Sequence, residues 1–100
     1  MTEEVWKTID RIAGYQFSSL GRIIGRRGKI INGGRDKDGY AIMSYGPRAT
    51  AVTLKVHRLI YEAFNGPIPD GLMINHLNGI KDDNRLENIE TCNASQTLLA

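Results

Sequence analysis

One hundred residues, 41% hydrophobic and 24% charged, are enough for one domain or two small lobes sharing a core. The single cysteine, Cys92, excludes an intrachain disulfide framework and a CxxC zinc knuckle, and reads as a small packed residue. No apolar run reaches membrane-spanning length and no signal-peptide pattern opens the chain, so the reading is a soluble, cytoplasmic protein without a membrane partner.

The net charge of +2 is unevenly spread: residues 1–50 hold nine Lys/Arg against five Asp/Glu, and residues 51–100 hold four against six. Residues 22–37 concentrate Arg22, Arg26, Arg27, Lys29, Arg35 and Lys37 against Asp36 alone, in a Gly-rich stretch. A basic block of that kind suits a polyanion-binding surface. Gly25 and Gly28 flank Arg26-Arg27 and let the backbone approach a phosphate closely.

In chain order, Trp6 and Ile9 begin an apolar pattern. Gln16-Phe17-Ser18 and Arg22-Ile23-Ile24 read as short strands joined near Ser19-Leu20-Gly21. Lys29-Ile30-Ile31 reads as a third, ended by Asn32-Gly33-Gly34, residues that tolerate turn geometry. After the Asp38-Gly39 turn, residues 40–45 and the β-branched run 51–56 read as further strands. From His57 to Phe64 the period changes: Leu59, Ile60, Ala63 and Phe64 share one helical face, and Asn65-Gly66-Pro67 stops the helix. Leu72-Met73-Ile74 predicts a short strand, residues 77–85 a loop, residues 86–90 a second strand, and Asn93 can cap a final helix.

The densest chemistry lies in Asn75-His76, at the end of a short apolar run, and Asn88, twelve residues beyond His76 across a polar loop. A His so placed can activate water as a general base, and an Asn amide carbonyl can hold its other ring nitrogen and fix the tautomer. Such a site suits phosphodiester cleavage beside one divalent metal. Three segments, Val56-His57-Arg58-Leu59-Ile60-Tyr61-Glu62-Ala63-Phe64, Ile74-Asn75-His76 and Asn84-Arg85-Leu86-Glu87-Asn88-Ile89-Glu90, together resemble phage-type HNH homing endonucleases. Val5-Trp6-Lys7-Thr8-Ile9 with Tyr15-Gln16-Phe17-Ser18-Ser19-Leu20-Gly21-Arg22-Ile23 resembles the nuclease-associated modular domain that often precedes them.

The resemblance implies an α+β fold: a small antiparallel β module over residues 1–55, then a helix and a ββα-metal core over 56–100. It implies His76 as general base and Asn88 as the residue orienting it. Asn75 and Thr97 stand at the metal-ligand positions, for one Mg²⁺ or Mn²⁺. Family members frequently carry Asp where Asn75 stands and His or Asn where Thr97 stands, so this chain brings no anionic ligand there. Arg22, Arg26, Arg27, Lys29, Arg35, Lys37 and Arg58 are the candidate contacts to double-stranded DNA. His57 reads as structural or as a phosphate contact. The expected activity is metal-dependent DNA nicking by a monomer or homodimer, in a bacterial host's cytoplasm if phage-encoded. The alternative is a weakened or inactive DNA-binding protein on the same scaffold.

Overall fold

Short apolar runs interrupted by glycine cannot build long elements, and the computed structural model, which describes residues 3–31 and 33–93, contains none. β1 (Trp6–Lys7), β2 (Gln16–Ser18) and β3 (Ile23–Ile24) form one antiparallel sheet in that order, with Trp6 opposite Ser18 and Phe17 opposite Ile23. β4 (Ile42–Tyr45) and β5 (Val52–Lys55) form a hairpin, and β6 (Met73–His76) pairs with β7 (Ile89–Cys92). Between the hairpin and β6 runs the helix α1 (Val56–Asn65).

α1 starts where the β5 backbone turns: the Val56 N–H donates to Ala41 O at 3.0 Å instead of to a side-chain cap. It buries Val56, His57, Leu59 and Ile60 along one face and leaves Arg58 outside. Gly66 ends it at φ 84°, a conformation that favours a residue without Cβ, and its N–H closes on Glu62 O at 2.9 Å. Arg11 reaches Glu62 from the first module at 2.6 Å.

One core serves both halves of the chain. Ile9, Ile12, Phe17 and Ile23 pack with Met43, Val56, Leu59, Ile60 and Ile89 in one cluster. Each such side chain contributes roughly 1.5–3 kcal/mol on leaving water.

The α+β architecture matches the sequence expectation, with local differences. Among the described residues, Lys29–Ile31 makes an isolated antiparallel bridge, Ile24 to Ile30, in place of a strand, with glycines at 25 and 28 in the turn between them. Residues 86–88 form a 3-10 turn rather than strand: Leu86 N–H is taken by Ser19 O and Asn88 N–H by Arg85 O, so β7 begins only at Ile89. Leu86 and Asn88 therefore do not share a strand face. The expected final helix lies outside the described residues.

Candidate active site

β6 ends at His76 because the next residues curl back on it. Gly79 N–H donates to His76 O at 3.0 Å, and Leu77 N–H donates to Asn88 O at 2.8 Å. The loop that follows is stitched by amides. Asn88 Oδ1 accepts the Asn78 N–H at 3.1 Å, while Asn88 Nδ2 donates to Asn78 Oδ1 at 3.0 Å and to Asp83 O at 2.8 Å. Asn78 in turn donates to the Asp83 carboxylate at 2.8 Å and accepts the Ile80 N–H at 2.9 Å. Arg85 pairs with Asp83 at 2.8 Å, and its guanidinium holds that carboxyl well below the usual carboxylate range.

His76 is 7% exposed, and its Nε2 lies 2.8 Å from Oδ1 of Asn84, itself 4% exposed. An amide oxygen only accepts, so this contact is a hydrogen bond in the tautomer that carries its proton on Nε2 and leaves Nδ1 as the acceptor nitrogen. The ring-nitrogen partner expected of Asn88 is thus Asn84. Asn88 acts instead on the backbone just after His76.

Two more rings bound the site. His57 stands edge-on to His76 at 5.2 Å between centroids, and Tyr40 lies 5.2 Å from His57 and 5.9 Å from His76. The ammonium groups of Lys55 and Lys81 lie 4.9 and 5.2 Å from the Tyr40 ring centroid, within cation–π range. His57 Nδ1 is buried with no hydrogen-bond partner among the described residues. Burial, then the neighbouring His76, Lys55 and Arg58, push the His57 pKa down to about 4, so this ring is neutral at pH 7.

Asn75 faces Glu90 across the β6–β7 ladder, and its Nδ2 donates to Glu90 Oε1 at 3.3 Å. That leaves the Asn75 carbonyl oxygen unused by this bond and places a carboxylate beside it. Oxygen donors of this kind fit a hard divalent cation rather than zinc. Among the described residues no three His, Cys, Asp or Glu side chains cluster as a metal site. Thr97, the other ligand position inferred from sequence, lies outside the described residues.

The basic candidates divide into two groups. Arg22 is bridged to Glu4 and Arg35 to Asp82, the latter tying the first module to the loop after His76. Arg26 lies over Tyr15 and Tyr45, 5.9 Å from each ring centroid. Arg26, Arg27, Lys29, Lys37 and Arg58 are exposed, and no carboxylate bridges them among the described residues. Sequence reasoning missed Asn84 as the ring partner, Tyr40 as a neighbour and Glu90 beside Asn75. Asn84 sits in an irregular loop where no periodicity marks it; Glu90 was open to discovery only through the strand register.

A histidine at a strand end, an amide-stitched loop, a second short strand and a preceding helix define the HNH class of nuclease folds. Residues 54–99 match the HNH endonuclease family model and residues 4–46 the NUMOD4 motif, so the chain joins an HNH endonuclease domain to a NUMOD4 module. It is 33% identical over 86 residues to DNA endonuclease I-HmuI of Bacillus phage SP01, covering 84% of this chain and 49% of that protein. It is 31% identical over 100 residues to an uncharacterized HNH endonuclease of Acanthamoeba polyphaga mimivirus, covering 95% of this chain and 25% of that protein. A solved structure described as DNA binding and cleavage by the HNH homing endonuclease I-HmuI superposes with a TM-score of 0.83 at 28% identity, over 95% of this chain and 56% of that one. The chain therefore spans about half the length of its phage relative and a quarter of the mimivirus one. HNH nucleases generally use a divalent metal. No helix among the described residues is long and apolar enough to cross a membrane.

Proposed function

We propose that this chain is a metal-dependent HNH endonuclease of the homing type that hydrolyses phosphodiester bonds in double-stranded DNA by nicking. The observation that carries the reading is the buried His76–Asn84 hydrogen bond, which leaves one defined basic nitrogen at the edge of a pinned polar loop. His76 Nδ1 takes the proton of the attacking water. Asn88 positions His76 through the backbone at Leu77 and Asn78. Asn75, with Thr97 and with Glu90 beside it, would hold one Mg²⁺ or Mn²⁺. That cation, when bound, supplies charge neutralisation at the phosphate and leaving oxygen.

Residues 1–55 act as the DNA-holding module and 56–100 as the nuclease core. Arg22, Arg26, Arg27, Lys29, Arg35, Lys37 and Arg58 provide the phosphate and groove contacts, of which the five without a carboxylate bridge are ready as they stand. A monomer with one site nicks; a homodimer could cut both strands. If phage-encoded, it acts in the cytoplasm of the bacterial host. The neutral Asn75 supports a second reading, a weakened nuclease or plain DNA binder, because a carboxamide ligates a cation less strongly than a carboxylate.

The test is relaxation of supercoiled plasmid at low salt with Mg²⁺ or Mn²⁺, with EDTA and His76→Ala as controls. Nicking abolished in both controls is the expected result. Salt-sensitive DNA binding without nicking, with activity appearing in Asn75→Asp, establishes the second reading instead.

A further inference from the structure

Among the described residues, it is Asn84 whose side chain meets the His76 ring in a hydrogen bond. Its own placement is unusual. It lies in irregular backbone between Asp83 and Arg85, whose own hydrogen bonds stitch the loop, and the first module packs directly against it. The turn Ser19-Leu20-Gly21 sits against it: Leu86 N–H donates to Ser19 O at 2.8 Å. A Cβ on Gly21 would lie 2.8 Å from the Asn84 carbonyl carbon and 2.9 Å from its oxygen. Gly21 has φ +86°, a conformation side chains rarely adopt, so both local geometry and the close approach exclude a larger residue. The turn is itself rigid. Ser18 Oγ accepts the Leu20 and Arg22 N–H groups at 3.1 and 2.9 Å, and Ser19 Oγ accepts the Val5 N–H at 3.0 Å.

We infer that Asn84 is a positioning residue for His76, fixing the Nε2–H tautomer, and that the Gly21 turn of the NUMOD4 module holds Asn84 in place. The module is then part of the catalytic architecture as well as a DNA-holding surface. This rests on His76 acting as the general base, but its first consequence, the tautomer, is measurable without DNA or metal.

The experiment is a two-bond ¹H–¹⁵N correlation spectrum of the histidine rings in the ¹⁵N-labelled chain, beside single-turnover nicking rates. Wild-type His76 is expected as one tautomer, protonated on Nε2. Asn84→Leu, close in size but without an acceptor, should mix the tautomers and lower the rate about 10–100-fold with little change in DNA affinity. Asn84→Asp keeps an accepting oxygen and should keep the Nε2–H form in the neutral ring. Gly21→Ala leaves both side chains intact and should displace the His76 signals and slow nicking. An Nδ1–H wild-type ring overturns the inference, as does an Asn84→Leu protein with unchanged ring signals and rate. Should Asn84→Leu fail to fold, a folded Asn84→Asp that loses the tautomer, or a folded Gly21→Ala with unchanged His76 signals, overturns it. Nicking that survives His76→Ala defeats the general-base reading alone, because the ring signals report on Asn84 independently.

Discussion

His57 keeps a buried ring nitrogen with no hydrogen-bond partner among the described residues, beside Tyr40 and His76, and this should make the protein acid-sensitive. Burial disfavours the imidazolium, so folding lowers the His57 pKa from 6.5 to about 4. Between those values the unfolded chain binds the proton more readily than the native one. Stability is therefore complete above pH about 6.5 and declines as pH falls toward 4. Asp36 opposes the shift weakly, while His76, Lys55 and Arg58 reinforce it. Urea midpoints measured between pH 7 and 4.5 should fall, and His57→Phe, which keeps a ring but cannot titrate, should flatten that slope. A wild-type midpoint constant across the range would mean that His57 protonates without cost. Below this window Asp36, Asp83 and Glu4, whose carboxyls are held low by Lys55, Arg85 and Arg22, begin to lose their partners' support.

At the scale of elements, the turn between β3 and the Ile30 bridge carries the densest unbridged basic charge of the proposed DNA-holding surface. The Gly28 N–H closes on Gly25 O, and the Gly25 N–H on Lys29 O, each at 3.0 Å, which makes the tip a compact basic knuckle carrying Arg26, Arg27 and Lys29. Arg22 and Arg35 flank it but are engaged by Glu4 and Asp82, so a phosphate must compete for them. Exposed pairs of this kind are weak, because solvent screens them, so they tune the surface without closing it. Each phosphate contact contributes about −0.9 to the slope of log affinity against log salt. Replacing Arg26, Arg27 and Lys29 together by Ala should make that slope shallower by about 2–3 and leave the His76 signals unchanged. An unaltered salt slope would move the DNA-holding face elsewhere.

Across the whole molecule, the shared core predicts one cooperative unit. Phe17 is fully buried in the first half and belongs to the same cluster as Leu59, Ile60 and Ile89 of the second. Phe17→Ala should cost about 3–5 kcal/mol. In a chain of this size that is a large share of a total of roughly 5–15 kcal/mol. Fluorescence of Trp6, in the first half, and ring signals of His76, in the second, should lose native character at the same urea concentration in wild type and variant alike. Separate transitions would show that the two halves fold independently.

Much of this protein is legible from local pattern. The spacing of Leu59, Ile60, Ala63 and Phe64 specifies the helix, Gly66 its end, and alternating or β-branched runs the strands, because backbone preference and side-chain period are set within a few residues. The pairing of Asn75-His76 with Asn88, and the basic block over residues 22–37, likewise stand in the sequence. What it leaves open is which side chain meets which across a turn. His76 is held by Asn84 and not directly by Asn88, because the 3-10 turn at residues 86–88 spends Asn88 on the loop backbone. Glu90 stands beside Asn75 through antiparallel register, and Arg35 meets Asp82 across 47 residues of chain. Gly21 touches Asn84 only because a common core draws the first module against the second. Local chemistry thus names the candidate histidine, while register, turn geometry and packing, each a property of chain segments brought together from a distance, choose the residues that surround it.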